Sequence, residues 1–310
     1  MADASEVRRR DTGQYRFAPM RGRPKLSWPA GARLAFWIAP NIEHYEWLPP
    51  GNPSRPPYAR GIPDVLNYGW RDWGNRVGFE RIAREMGDRG IRGSVSLSVA
   101  ICDHFPEIVR RCTDLGWELF SHGIYNTRYF YGMSREEQRA VIVNSRETLA
   151  KAGQRLDGWL TPAITPSLET QELLAEEGVR YTLDYMHDDQ PMPLCVPKGR
   201  LISVPYSIEM NDVPLFAWVN APVSGMLASL KAQFDRLWAE GAESGRVMCF
   251  AIHPFLLGQP HRIDAFAEFL DYVKSHDGVW YATAREIADW YYARHYDTVS
   301  AWLAGLEGEH

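Results

Sequence analysis

Short apolar runs alternate with amphipathic stretches along most of this chain, and that alternation is what most constrains its fold. The runs lie at 33–39, 94–99, 117–120, 156–160, 179–183, 201–204 and 246–252. Each is too short to be a helix and is bounded by polar or turn residues, which predicts strands. Helix-like stretches lie at 77–88, 105–115, 134–151, 167–178, 226–239, 263–275 and 283–294. Ser134 with Glu137, and Thr283 with Glu286, have the spacing of a capping box, which satisfies two backbone N–H groups at a helix start. Ser167 is read as a further cap, and Gly116 and Gly178 as helix stops. A strand that returns through a helix lies parallel to the one before it. The predicted class is therefore α/β, a parallel sheet covered by helices, either as a barrel or as an open doubly wound sheet. No G-x-G-x-x-G follows the first strand and no G-x-x-x-x-G-K-[ST] occurs, so the nucleotide-binding versions of this class lose weight.

Composition narrows the partners. The 310 residues carry a net charge of −5, which argues against a nucleic-acid surface or a polybasic membrane patch. Hydrophobic residues at 45% and charged residues at 24% describe a folded domain rather than a disordered one. Cys102, Cys112, Cys195 and Cys249 form no C-x-x-C, so neither a disulfide framework nor a zinc ribbon is implied. No apolar run reaches the roughly 18 residues of a membrane span, and Arg8, Arg9 and Arg10 lead into polar residues rather than the apolar core of a signal peptide. The expectation is a cytoplasmic protein that keeps its N-terminus, with an arm at 1–25, one domain at 26–296 and a tail at 297–310. Residues 47–76 hold six prolines and three tryptophans and are read as an ordered loop roofing one end of the sheet.

In parallel α/β folds the site lies at the carboxyl ends of the strands. The polar residues that follow the apolar runs are Asn41, Glu43 and His44; Ser121 and His122, with Asn126 four residues on; Thr161; Asp184; and His253. Each has a plainer reading. An isolated Glu43 is more often the ion-pair partner of an arginine, and His44 or His122 taken singly is more often a hydrogen-bonded core histidine. Three strand-end histidines among nine are harder to dismiss. Trp290, Tyr291 and Tyr292 on the last helix read as packing or subunit contact.

The order of elements and these strand-end residues resemble the polysaccharide deacetylase superfamily, whose fold is a distorted parallel (β/α)7 barrel. The resemblance puts Glu43 at the position of the catalytic base, His44 at the first metal-ligand position and His122 at the first histidine of a His-x-x-x-His pair. Asn126 stands where the second histidine would be, and His253 matches a late acid histidine. Two of three metal positions are thus altered. The chain is more similar to one branch, the metal-independent allantoinases and cyclic imide hydrolases. The matching motifs are Asn41-Ile42-Glu43-His44, Asn75-Arg76-Val77-Gly78, Ser121-His122-Gly123, Leu183-Asp184-Tyr185, Val204-Pro205-Tyr206 with Asn211-Asp212, and Ile252-His253 running into Leu257-Gly258 and Pro260.

That branch implies hydrolysis of a C–N bond in a small cyclic amide, imide or ureide without a cofactor. Glu43 would be the general base, and His253 and His122 would share the roles of oxyanion donor and acid. Asn41, His44, Arg76, Asn126, Thr161 and Asp184 would contact substrate. As a strand-end catalytic group, Glu43 is expected to contribute little to the packed core. The resemblance also implies a homotetramer. A zinc-dependent deacetylase of acetylated sugars, with zinc on His44 and His122, and a non-catalytic binding barrel stay open as alternatives. The chain departs from the branch at Glu43-His44-Tyr45-Glu46 and at Thr161-Pro162-Ala163, where the branch has Glu-Glu-Gly-Gly and Thr-Gly-Arg. Both lie in substrate-contact regions, so a compound other than allantoin is expected.

Overall fold

A computed structural model describes residues 12–50 and 62–306. The strands are β1 (Leu34–Ile42), β2 (Ser94–Leu97), β3 (Glu118–Ser121), β4 (Gly158–Trp159), β5 (Tyr181–Thr182), β6 (Met192–Pro193), β7 (Ile202–Ser203), β8 (Arg246–Ile252) and β9 (Val279–Tyr281). They form one sheet in the order β6-β7-β5-β4-β3-β2-β1-β8, with β9 also paired to β1. Every pairing is parallel except β6 with β7. The α/β class and the parallel, helix-covered sheet are as expected. Beyond β8 the curled sheet is continued by irregular chain: the Ala251 N–H donates to the Met210 carbonyl at 3.0 Å and the Val247 N–H to the Asp189 carbonyl at 2.9 Å. The seven predicted strands are present. The two additions are β6 and β9, two and three residues long.

Two apolar clusters follow from the two-residue period of the strands. On β1, Leu34, Phe36 and Ile38 join an outer cluster with the surrounding helices, while Ala35, Trp37 and Ala39 join an inner one. On β8, Met248, Phe250 and Ile252 face out and Val247, Cys249 and Ala251 face in. The outer cluster gathers Ile82 and Met86, Ile142 and Leu149, and Phe266 and Phe269 from three of the covering helices.

Both capping boxes form: Ser134 and Thr283 each accept from the backbone three residues on, and Glu137 and Glu286 reach back. Ser167 is not a cap, because its helix starts at Thr170 behind Glu169. The segment read as a loop is partly helical. Asp64 caps a helix at Val65–Trp73, which passes through a π-type turn at Gly74–Gly78 into Phe79–Gly87. Pro53, Pro56 and Pro57 lie outside the described residues. Within the region read as a tail, Tyr296–Leu306 is helical and buries Val299 and Leu303 against the inner cluster. The described part of the arm lies on the chain's own surface, with Tyr15 stacked on His187 at 4.1 Å and Arg23 paired to Asp188 at 2.8 Å. Among the described residues no helix is long and apolar enough to cross a membrane.

Candidate active site

The period that sorts the core also sorts the strand-end residues. Glu43 continues the inward phase Ala39-Asn41, His122 continues from Phe120, His253 from Ala251 and Tyr206 from Val204. All four line one cavity of about 310 Å³. Asn41 and Asn126 line it as well. Asn41 is held by donating to the Ala39 carbonyl at 3.1 Å, the Tyr206 hydroxyl at 3.1 Å and the Ile252 carbonyl at 3.3 Å.

His44, Thr161 and Asp184 do not line the cavity, for the same geometric reason. They continue the outward phases of Ile42, Trp159 and Thr182. His44 packs against the rings of His104 at 4.4 Å and Phe105 at 5.5 Å, and burial pushes its pKa down to about 4. Asp184 accepts from the Thr161 backbone at 2.7 Å and the Thr161 hydroxyl at 2.8 Å, so the two tie neighbouring strand ends together. Burial pushes the Asp184 pKa up to about 6 against those hydrogen bonds. Arg76 points away from the cavity and pairs with Asp72 at 2.7 Å, with 66% of its side chain exposed. In this structure these four serve packing and surface pairing.

Two charged residues of the site were not singled out in the sequence. Arg71, on the helix Val65–Trp73, donates from Nε to Glu43 Oε2 at 3.1 Å. Its other nitrogens donate to Asn67 Oδ1 and the Tyr45 hydroxyl, each at 3.2 Å, and its guanidinium lies between the Tyr45 and Phe255 rings at 4.0 and 4.1 Å. No sequence signal marks it, since it is one arginine among many on a helix face. Asp212, completely buried, accepts from His253 Nδ1 at 2.6 Å and from the His253 backbone N–H at 2.8 Å. Its signal was the Asn211-Asp212 motif, which carried no stated role.

These contacts set the charges. Burial favours neutral His253, but Asp212 and Glu43 outweigh it and push the pKa up to about 9, so the ring is an imidazolium at neutral pH. Its Nε2 faces Glu43 Oε1 at 3.4 Å. Burial would raise the Glu43 pKa, but the His253 hydrogen bond and the Arg71 charge hold it far below the usual carboxylate range. For His122, burial lowers the pKa despite the Glu43 charge. His122 Nδ1 lies 2.9 Å from the Leu160 carbonyl, which can only accept. Nδ1 therefore carries the proton, and neutral His122 offers Nε2 as an acceptor.

The superfamily's metal site needs donors that converge. Here His44 is turned outward, Asn126 is an amide, and among the described residues no three His, Cys, Asp or Glu side chains group as metal ligands. The donors at hand do not fit a zinc site of three protein ligands plus water.

No family model matches this chain. It is 26% identical over 267 residues to a Schizosaccharomyces pombe protein named for the polysaccharide deacetylases, which covers 78% of this chain and 80% of that one. To the peptidoglycan deacetylase of Helicobacter pylori it is 26% identical over 219 residues, 60% of this chain and 73% of the relative. The crystal structure of PuuE allantoinase superposes with a TM-score of 0.78 at 27% identity, covering 89% of this chain and 95% of that one. The fold and these likenesses define a deacetylase-like hydrolase. In sequence and in fold the chain is similar to proteins named for the polysaccharide deacetylases and to an allantoinase.

Proposed function

We propose that the protein opens the ring of a small cyclic amide, imide or ureide by metal-independent hydrolysis of a C–N bond. The observation that carries this reading is the buried chain Arg71–Glu43–His253–Asp212 in one cavity, which pairs an ionised carboxylate with a protonated imidazole. Such a pair divides the labour of hydrolysis: the carboxylate accepts a proton from water and the imidazolium stabilises the oxyanion. A ring carbonyl that enters takes the Nε2–H of His253, the donor that faces Glu43 Oε1 in the free site. That exchange removes a contact holding the Glu43 pKa down, so the carboxylate becomes a better base as substrate binds. Water loses its proton to Glu43, its oxygen bonds to the carbonyl carbon, and the tetrahedral oxyanion rests on His253. As the C–N bond breaks, the proton held by Glu43 passes to the leaving nitrogen. His122, an acceptor at Nε2, orients the water or a ring N–H rather than the oxyanion. Arg71 holds the second oxygen of Glu43, which leaves one carboxylate oxygen to act.

The testing experiment assays hydantoin, dihydrouracil, succinimide and allantoin beside oligomers of N-acetylglucosamine. Metal content is measured before and after exhaustive dialysis against a chelator. The expected result is ring opening of at least one cyclic compound at a rate that chelation leaves unchanged. Deacetylation of the sugar with stoichiometric zinc, or no turnover of any ring, would overturn the proposal.

A further inference from the structure

The cavity has a polar floor and apolar walls, and the walls carry information that the reaction does not use. Building on the ring hydrolysis proposed above, we infer that the substrate is a neutral ring amide or imide bearing an apolar, aromatic-sized substituent, seated against Trp218, Ile164, Ile208 and Val213. Four observations carry this.

The first is size. A cavity of about 310 Å³ lies at the lower end of the roughly 300–1,000 Å³ range that encloses a whole organic ligand, so it has room for more than the reacting ring.

The second is the mouth. Trp218 is 60% exposed and Tyr131 is 49% exposed, and both line the cavity. Large apolar side chains left in solvent at a cavity rim mark a surface that something apolar covers. An aromatic ring alone would also suit the face of a sugar. Ile164, Ile208, Val213 and Pro214 line the cavity too and extend its apolar wall beyond the one ring face that a sugar would use.

The third is backbone strain. Ala163 and Ile164 have φ of +52° and +55°, and both line the cavity. A β-branched residue in the left-handed region is a true outlier, and such strain concentrates at ligand-holding segments. Glycine would make the same turn without strain but would supply no wall.

The fourth is charge. Arg71, the one guanidinium among the described residues that line the cavity, is engaged by Glu43, Asn67 and Tyr45 and packs against the Tyr45 and Phe255 rings. His253 lies between Asp212 and Glu43, and among the described residues no lysine lines the cavity. Among the described residues, a carboxylate or phosphate on the substrate would meet only cations already held by Glu43 or Asp212.

The experiment compares hydantoin, 5-phenylhydantoin and hydantoin-5-acetic acid on the wild-type protein, Trp218→Ala and Ile164→Gly, the last of which relieves the strained turn and so remains foldable. Wild-type kcat/KM is expected to be about tenfold or more higher for the phenyl compound than for hydantoin, the worth of burying an apolar group of that size, with most of the gain in KM. Each variant should lose more on the phenyl compound than on hydantoin. Turnover of hydantoin with no gain from the phenyl group, or a preference for the acetic acid, would overturn this inference and leave the ring-hydrolase reading standing. Calorimetric binding of 5-phenylhydantoin that weakens in Trp218→Ala, with no turnover of any ring, would support the apolar occupant and defeat the hydrolase reading instead.

Discussion

Glu43, proposed as the base at a strand end, is also the buried partner of an arginine, the other role its sequence position suggests. Its carboxylate and the Arg71 side chain are each only 6% exposed. The expectation that Glu43 matters little to folding therefore changes: Glu43→Gln removes the charge that compensates a buried guanidinium, which is costly wherever one member of such a pair is lost. The variant should lose roughly 10²-fold to 10⁴-fold in turnover and also several degrees in melting temperature. Adding Arg71→Met should recover melting temperature but not turnover, and a double variant that recovers turnover would rule out the base. His253 gives a pH prediction. Its pKa rises from 6.5 to about 9, so the ion pairs it makes stabilise the fold fully below pH 6.5 and lose that contribution as pH rises through about 9. If the imidazolium supports the oxyanion, kcat/KM falls over the same alkaline range. Asp212→Asn removes the largest favourable influence on that pKa and should move the alkaline limb to lower pH. Superimposable profiles for the two proteins would contradict the role given to His253.

At the scale of elements, two sequence motifs prove to be two halves of one contact. Asn75-Arg76-Val77-Gly78 lies in the π-type turn, and Leu257-Gly258 lies in the chain after His253. A Cβ on Gly78 would stand 2.0 Å from the Pro254 carbonyl oxygen, and one on Gly258 would stand 2.4 Å from the same atom. Asn75 in that turn donates to the Glu43 carbonyl at 3.0 Å, so the contact sets Glu43 and His253 against each other. Gly78→Ala must displace backbone rather than a flexible side chain. It should lower melting temperature and turnover together. Gly69→Ala, on the same helical stretch but with nothing within 4 Å of the new methyl, should raise stability by about 0.4–1 kcal/mol and leave turnover unchanged. Equal effects from the two substitutions would remove the positioning role of the contact.

The whole molecule presents apolar surface on its arm, where Phe17 is 84% exposed and Met20 is 64% exposed. Ile62, Val65 and Leu66 add a second exposed apolar group at the start of the first described helix. Exposure of this kind on a folded chain favours association. Together with the tetramer implied by resemblance, it predicts a homo-oligomer. Light scattering at micromolar concentration should give a multiple of the chain mass, and Phe17→Asp with Met20→Asp should lower it. A monomeric wild-type protein would refute the expectation.

The period of two, the capping boxes and the positions of Glu43, His122 and His253 at strand ends were legible in the sequence because each depends on neighbours within a few residues. The direction of each strand-end side chain was implicit in the same period, yet it needed one anchored face to read. Once Ala39 is inside, Asn41 and Glu43 are inside and His44 is not, and the same count turns Thr161 and Asp184 outward. Tertiary structure alone chose the partners. Arg71 meets Glu43 across 28 positions and Asp212 meets His253 across 41. The first depends on a helix that begins at Val65 within what reads as a loop, and the second on the irregular chain that pairs with β8 through Met210 and Ala251. Charge states at the site follow from those encounters and from burial, neither of which a local pattern encodes, so the sequence could name the candidate base and acid but not make one anionic and the other cationic.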